Sequence, residues 1–149
     1  MGVTDLPYSH TENIGKVKKG KNAGKPYAST TGDVAEILED YYHIMEVFWE
    51  LYAEQFMETL EEAAQGAFET LMMGGGAQDN AFAAATSEIE ERFLRFISEK
   101  EMDKLGVPGV PTAASLKGVN TRFKKRLDPG RPSFKDTGLY MNSFRCWVE

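Results

Sequence analysis

The chain has 149 residues, a formal net charge of −6 and 42% apolar residues, enough for one domain of ordinary size and too few for two compact ones. A single cysteine, Cys146, excludes an internal disulfide framework and fits a reducing compartment. The first 25 residues lack the apolar core of a signal peptide, and the most apolar run, Tyr41 to Tyr52, is too short to cross a bilayer and carries His43, Glu46 and Glu50.

Charge is segregated along the chain. Residues 33–103 hold 18 acids and 3 bases, residues 1–32 hold 5 lysines against 2 acids, and residues 104–149 hold 9 lysines and arginines against 3 acids. Such asymmetry predicts basic ends that pair with the acidic faces of neighbouring chains or meet another anion.

Residues 1–32 place Gly15, Gly20, Gly24 and Gly32 among Lys16, Lys18, Lys19, Lys21 and Lys25. They read as a flexible basic arm, because so little apolar surface does not offset the entropy of ordering it. Lysines beside glycines are also compatible with nucleic-acid phosphates, with stacking aromatics limited to Tyr8 and Tyr27.

Residues 33–106 are expected to form a long helical hairpin. Its first helix runs from Asp33 to Met73 and opens on Asp33-Val-Ala-Glu36, which has the form of a capping box; Thr30 or Thr31 is the alternative cap. Leu38, Tyr41, Met45, Phe48, Tyr52, Phe56, Leu60, Ala64, Phe68 and Leu71 recur at three or four residues and lay one stripe, widened by Tyr42, Ile44, Val47, Trp49, Leu51 and Met57. Such a helix would rise about 60 Å, longer than a domain of this size covers by itself. Part of its apolar surface therefore needs a partner, and Phe48, Trp49, Tyr52 and Phe56 are the candidates for that contact.

Gly74-Gly75-Gly76 ends this helix and lets the chain turn back. The second helix begins at Asp79, or at Ser87 where Ser87-Glu-Ile-Glu90 is another capping box, and runs to Lys104. Phe82, Ala85, Ile89, Phe93, Phe96 and Ile97 form its stripe, Glu88–Arg92 and Glu91–Arg95 are favourable pairs, and Gly106 and Pro108 stop it.

Residues 107–149 read as a basic, extended docking segment. Val107 to Thr112 is a Pro- and Gly-rich connector. Leu116, Val119, Phe123 and Leu127 recur at helical spacing among Lys117, Arg122, Lys124, Lys125 and Arg126, as a short basic helix or an irregular basic strand. Asp128-Pro-Gly130 is a turn, and alternation at Phe144, Cys146 and Val148 marks a terminal strand. Residues 1–28 and 107–135 are expected to be mobile in a free monomer. The fold class is predominantly α.

The chemical motifs are weak. Asp136-Thr137-Gly138 matches the aspartic-protease tripeptide but follows Lys135 rather than an apolar strand, so a turn with Gly138 at positive φ is preferred. Glu39, His43 and Glu46 share a helical face, which reads as solvated rather than metal-binding. Gly74–Gly76 lacks the Gly-Lys-Ser/Thr of a phosphate loop. No enzyme, cofactor or metal is expected.

Residues 131–147, Arg131-Pro-Ser-Phe-Lys-Asp-Thr-Gly-Leu-Tyr-Met-Asn-Ser-Phe-Arg-Cys-Trp147, resemble a phrase found in small morphogenesis proteins of tailed bacteriophages, the neck and tail-completion proteins. Pro132, Asp136, Thr137, Gly138 and Ser143 carry the likeness, with Leu139 one place early and Tyr140 where leucine is usual. The resemblance implies a virion structural protein, made in the host cytoplasm, that forms a ring of identical copies at the head–tail connector. It implies other virion proteins as neighbours (portal or adaptor, tail terminator or tube), DNA passing through the channel without specific binding, and no membrane. Asp136, Gly138, Leu139, Tyr140, Phe144 and Trp147 would then be docking residues. Two other classes fit the residues: a cytoplasmic helical interaction module and a basic-armed nucleic-acid binder.

Overall fold

The computed structural model describes residues 1–7, 30–76, 80–118, 129–135 and 138–148. Over these the protein is predominantly helical, with one two-stranded sheet. No helix among them is long and apolar enough to cross a membrane.

Helix α1 spans Thr31–Tyr42 and is capped by Thr30. The Thr30 hydroxyl accepts from the Asp33 amide at 3.2 Å while the Asp33 carboxylate accepts from the Thr30 amide at 3.1 Å. The cap is thus the alternative at Thr30, three residues before Asp33. Thr30-x-x-Asp33 is itself a complete box, with the acid at the third helical position, where both orphan amides are satisfied. Thr31 is fully buried. Its hydroxyl accepts from the Leu6 amide at 2.8 Å and donates to the Thr4 carbonyl at 2.5 Å.

Those bonds fasten the chain start. Strand β1, Gly2–Val3, pairs antiparallel with β2, Phe144–Arg145, in the register Gly2↔Arg145 and Val3↔Phe144. The expected terminal strand therefore exists, and its partner is the N-terminus. Residues 1–7 are not part of a free arm; residues 8–29, which carry all five arm lysines, lie outside the described residues.

The first long helix is interrupted. His43 adopts φ 51°, ψ 45°, and a new helix, α2, runs Ile44–Met72. Glu39 makes the restart possible: its two carboxylate oxygens accept from the amides of Met45, at 2.8 Å, and Glu46, at 3.2 Å. A side chain from the last turn of α1 thus satisfies two of the orphan donors at the start of α2. Nothing in the apolar period reveals the break, because the stripe continues in phase through it.

At the other end of α2 the chain turns on glycine for a steric reason. A Cβ at Gly75 would lie 2.7 Å from the Thr70 methyl and 2.8 Å from the Thr70 carbonyl oxygen, the same oxygen that accepts the Gly75 amide at 2.9 Å. Helix α3 then spans Ala83–Ser98. It begins after Asp79 and before Ser87, so the expected Ser87 box lies inside the helix. Lys100 at φ 59° breaks the chain before a short α4, Glu101–Lys104, where a single helix to Lys104 was expected.

The expected hairpin is thus formed by α2 and α3, and Phe48 is its hub. Its ring lies 5.1–5.4 Å from those of Phe56, Phe93 and Phe96 and 5.9 Å from that of Phe144. Phe93 and Phe144 stack at 4.1 Å.

Beyond α4, α5 spans Ala113–Lys117 and is closed by Gly118 at φ 60°. The buried Ser115 donates to the Arg131 carbonyl, the Gly130 amide donates to the Ser115 carbonyl at 2.9 Å, and the Thr112 amide donates to the Ser133 hydroxyl at 3.1 Å. Residues 107–118 and 129–135 are therefore hydrogen-bonded into the fold, against the expectation of a mobile connector. Helix α5 ends at Lys117; the basic helix or strand expected from Leu116 to Leu127 falls mostly on residues 119–128, which lie outside the described residues. Helix α6, Leu139–Asn142, follows Gly138, which takes φ +80°; this is the positive φ expected there.

Candidate interaction surface

Four of the residues expected at an interface are in the chain's own core. Phe48, Phe56, Tyr140 and Phe144 are 0–3% exposed, which corrects the reading of the C-terminal phrase as a segment offered to a partner. The phrase docks, but on α3 and β1 of its own chain. Leu139 and Gly138 are half-buried, and Asp136 lies outside the described residues. Trp147 is half exposed and sits so close over Gly2 that a Cβ there would lie 2.9 Å from the indole.

Tyr52 belongs to a polar clamp that sequence reasoning missed. Arg92 reaches both carboxylate oxygens of Glu101, at 2.8 and 3.0 Å. Its guanidinium lies 4.2 Å from the Tyr52 ring centre, and the Tyr52 hydroxyl donates to Glu101 while accepting from Arg92. The sequence paired Arg92 with Glu88. On one straight helix Arg92 and Glu101 would point to opposite sides, about 13 Å apart along the axis; the left-handed residue at Lys100 swings Glu101 back. No local signal marks Lys100 as the turning point, since it is neither glycine nor asparagine. The other expected pair, Glu91 with Arg95, forms at 3.6 Å on the exposed face.

Burial foremost, then the hydrogen bond to Glu101, raise the Tyr52 phenol above its ordinary 10.0. Between that value and the higher folded one, the unfolded chain releases a proton that the folded chain keeps, so stability falls as pH rises. Tyr52→Phe removes this component. Denaturation midpoints at about pH 8 and about pH 10.5 should show a larger drop for wild type than for the variant. At neutral pH, Glu101→Gln should cost about 1–3 kcal/mol because Arg92 loses its charged acceptor.

Glu39, His43 and Glu46 bring three ligand-type atoms within 4.8 Å of one another. His43 is not on a helix face, as the sequence suggested, but at the break itself. Glu39 is held by the amides of α2, and His43 Nδ1 is 3.0 Å from Glu46. The trio is a helix start, whose positive end disfavours a cation. Cys146 is half-buried; burial raises its thiol pKa, and its amide donates to Glu90 at 3.0 Å. A raised thiol is a poor nucleophile.

Among the described residues, one long face of α2 remains exposed. Ile44, Phe48 and Phe56 are the buried positions of this helix, and all lie in its first half. A second apolar stripe, which borders Phe56 at Trp49 and points away from Ile44 and Phe48, runs through Trp49, Ala53, Met57, Leu60, Ala64, Phe68 and Leu71 in steps of four, four, three, four, four and three. That is the repeat of a helix which buries two seams. Trp49 is 40%, Met57 59%, Phe68 63% and Leu71 50% exposed.

Beside this stripe, Glu46, Glu50, Glu54, Glu58 and Glu62 follow one another at four-residue spacing, all exposed. Helix α2 contains seven glutamates and no lysine or arginine. Like charges at i, i+4 cost a few tenths of a kcal/mol per pair, so the helix carries a repulsive ridge next to an uncovered apolar one. The arrangement defines a class of molecule: a helical subunit with a compact aromatic core and one long, acid-flanked apolar face. No protein-family model, no curated protein and no solved structure matches the chain.

Proposed function

We propose that the protein is a structural subunit of a tailed-bacteriophage virion and forms a ring of identical copies in the neck between portal and tail. The observation that carries the ring is the outer face of α2, apolar from Trp49 to Leu71 with glutamates beside it and no base on the helix, in a chain whose cations concentrate at its two ends. Contacts in a ring are heterologous, so one patch on a copy meets a different patch on the next. An acid-flanked face and basic ends are the two halves of such a contact. The virion assignment rests on the likeness of residues 131–147 to neck and tail-completion proteins. The phrase serves as the structural link that closes each subunit's core, through Tyr140, Phe144 and the Gly138 turn. Acidic surfaces facing the ring's channel would keep DNA phosphates off the wall by like charge.

The same stripe favours one other reading, a helical module that binds a different protein. Light scattering and negative-stain imaging of the purified chain separate the two. The ring predicts a multiple of the 16.7 kDa chain mass and annular particles; a lone 16.7 kDa species at concentrations well above micromolar overturns it. Retention on DNA that weakens with salt would instead favour the nucleic-acid reading.

A further inference from the structure

We infer that the outer stripe of α2 receives the basic segment 117–128 of a neighbouring copy. This rests on the ring reading and names its joint. The receiving face is Met57, Leu60, Ala64, Phe68 and Leu71, flanked by Glu54, Glu58, Glu61 and Glu62. Its occupant must supply apolar side chains at matching intervals and cations beside them, since the glutamates repel one another and any further acid.

Three occupants are available within the chain. A second α2 fails on charge: it brings seven more glutamates and no cation. The lysine-rich segment 16–25 has the charge but only Val17 as a large apolar residue. Segment 117–128 has both, with Val119, Phe123 and Leu127 four residues apart and Lys117, Arg122, Lys124, Lys125 and Arg126 between and beside them; its one acid is the closing Asp128. These four-residue steps equal those of Leu60, Ala64 and Phe68, so three apolar residues can seat on that part of the stripe while the cations meet the glutamate row. The residues on either side are held by one subunit: Gly118 closes α5, and the Gly130 amide donates to the Ser115 carbonyl. Because the contact joins different patches, it propagates around a ring rather than ending at a dimer.

The test uses the full chain and two charge-reversed variants. One carries Lys124→Glu, Lys125→Glu and Arg126→Glu; the other carries Glu54→Lys, Glu58→Lys and Glu61→Lys. Circular dichroism first confirms that both keep the wild-type helix content. By light scattering, wild type should assemble at low salt and dissociate as salt shortens the screening length to about 3 Å. Each variant alone should run as monomer. An equimolar mixture of the two should assemble again, because every joint then pairs opposite charges. Wild-type mass in both single variants overturns the joint and leaves the ring reading standing. A monomeric wild type overturns the ring, and the joint is then read from a fluorescein-labelled peptide of residues 117–128. Anisotropy that rises with wild type and not with the Glu→Lys variant supports the pairing, and no rise with either overturns it.

Discussion

Phe48→Ala lowers the free energy of unfolding by about 3–5 kcal/mol, whereas Phe68→Ala, twenty positions along the same helix, leaves it within about 0.5 kcal/mol. Both side chains are phenyl rings in α2, so propensity cancels and only surroundings differ. Phe48 is 0% exposed and meets five aromatic rings. Truncating it opens a cavity where α2, α3 and β2 come together, and neighbouring rings are too rigid to collapse into it. Phe68 is 63% exposed and loses little on truncation in the free subunit. Its effect appears on association: the variant should keep its melting temperature and lose assembled mass. Urea denaturation gives the first comparison and light scattering the second. Equal destabilisation by the two substitutions would mean that the outer stripe is covered within the subunit.

The hairpin was legible because its signal is long. A stripe repeated over some forty residues fixes a helical period, and three glycines mark the reversal. The rotation of that stripe was less legible. Period alone assigns Phe48, Phe56, Met57 and Phe68 to one broad apolar band; which edge of the band faces α3 depends on residues far away in sequence, and the core chose the edge through Ile44, Phe48 and Phe56. The breaks at His43 and Lys100 were illegible for a different reason. Both are left-handed conformations, uncommon outside glycine, held by side-chain bonds that the apolar period does not record: Glu39 to the α2 amides, and Glu101 to Arg92 and Tyr52. The chain start was misread because composition averages over 32 residues. Its glycines and lysines conceal Val3, Leu6 and Thr31, which tie residues 1–7, with the two-residue strand β1, to the rest of the fold.

Phe144→Ala should cost as much as Phe48→Ala, about 3–5 kcal/mol, although Phe144 lies in a phrase that reads as a docking element. Its ring is 1% exposed and stacks on Phe93 at 4.1 Å, and its backbone carries the β2 side of the pairing with β1. Losing the ring removes apolar burial and loosens the strand it anchors, so residues 1–7 should become protease-sensitive in the variant under native conditions. Trp147→Ala tests the contrast within the same phrase. That indole is 52% exposed over Gly2, so its truncation should cost about 1 kcal/mol or less. A docking role for Phe144 predicts the opposite pattern, with unchanged stability and lost assembly. Thermal melts, native-state proteolysis and mass measured on the same two variants decide between them. A Phe144→Ala protein that melts like wild type yet fails to assemble would place the phrase at the subunit interface instead of in the core.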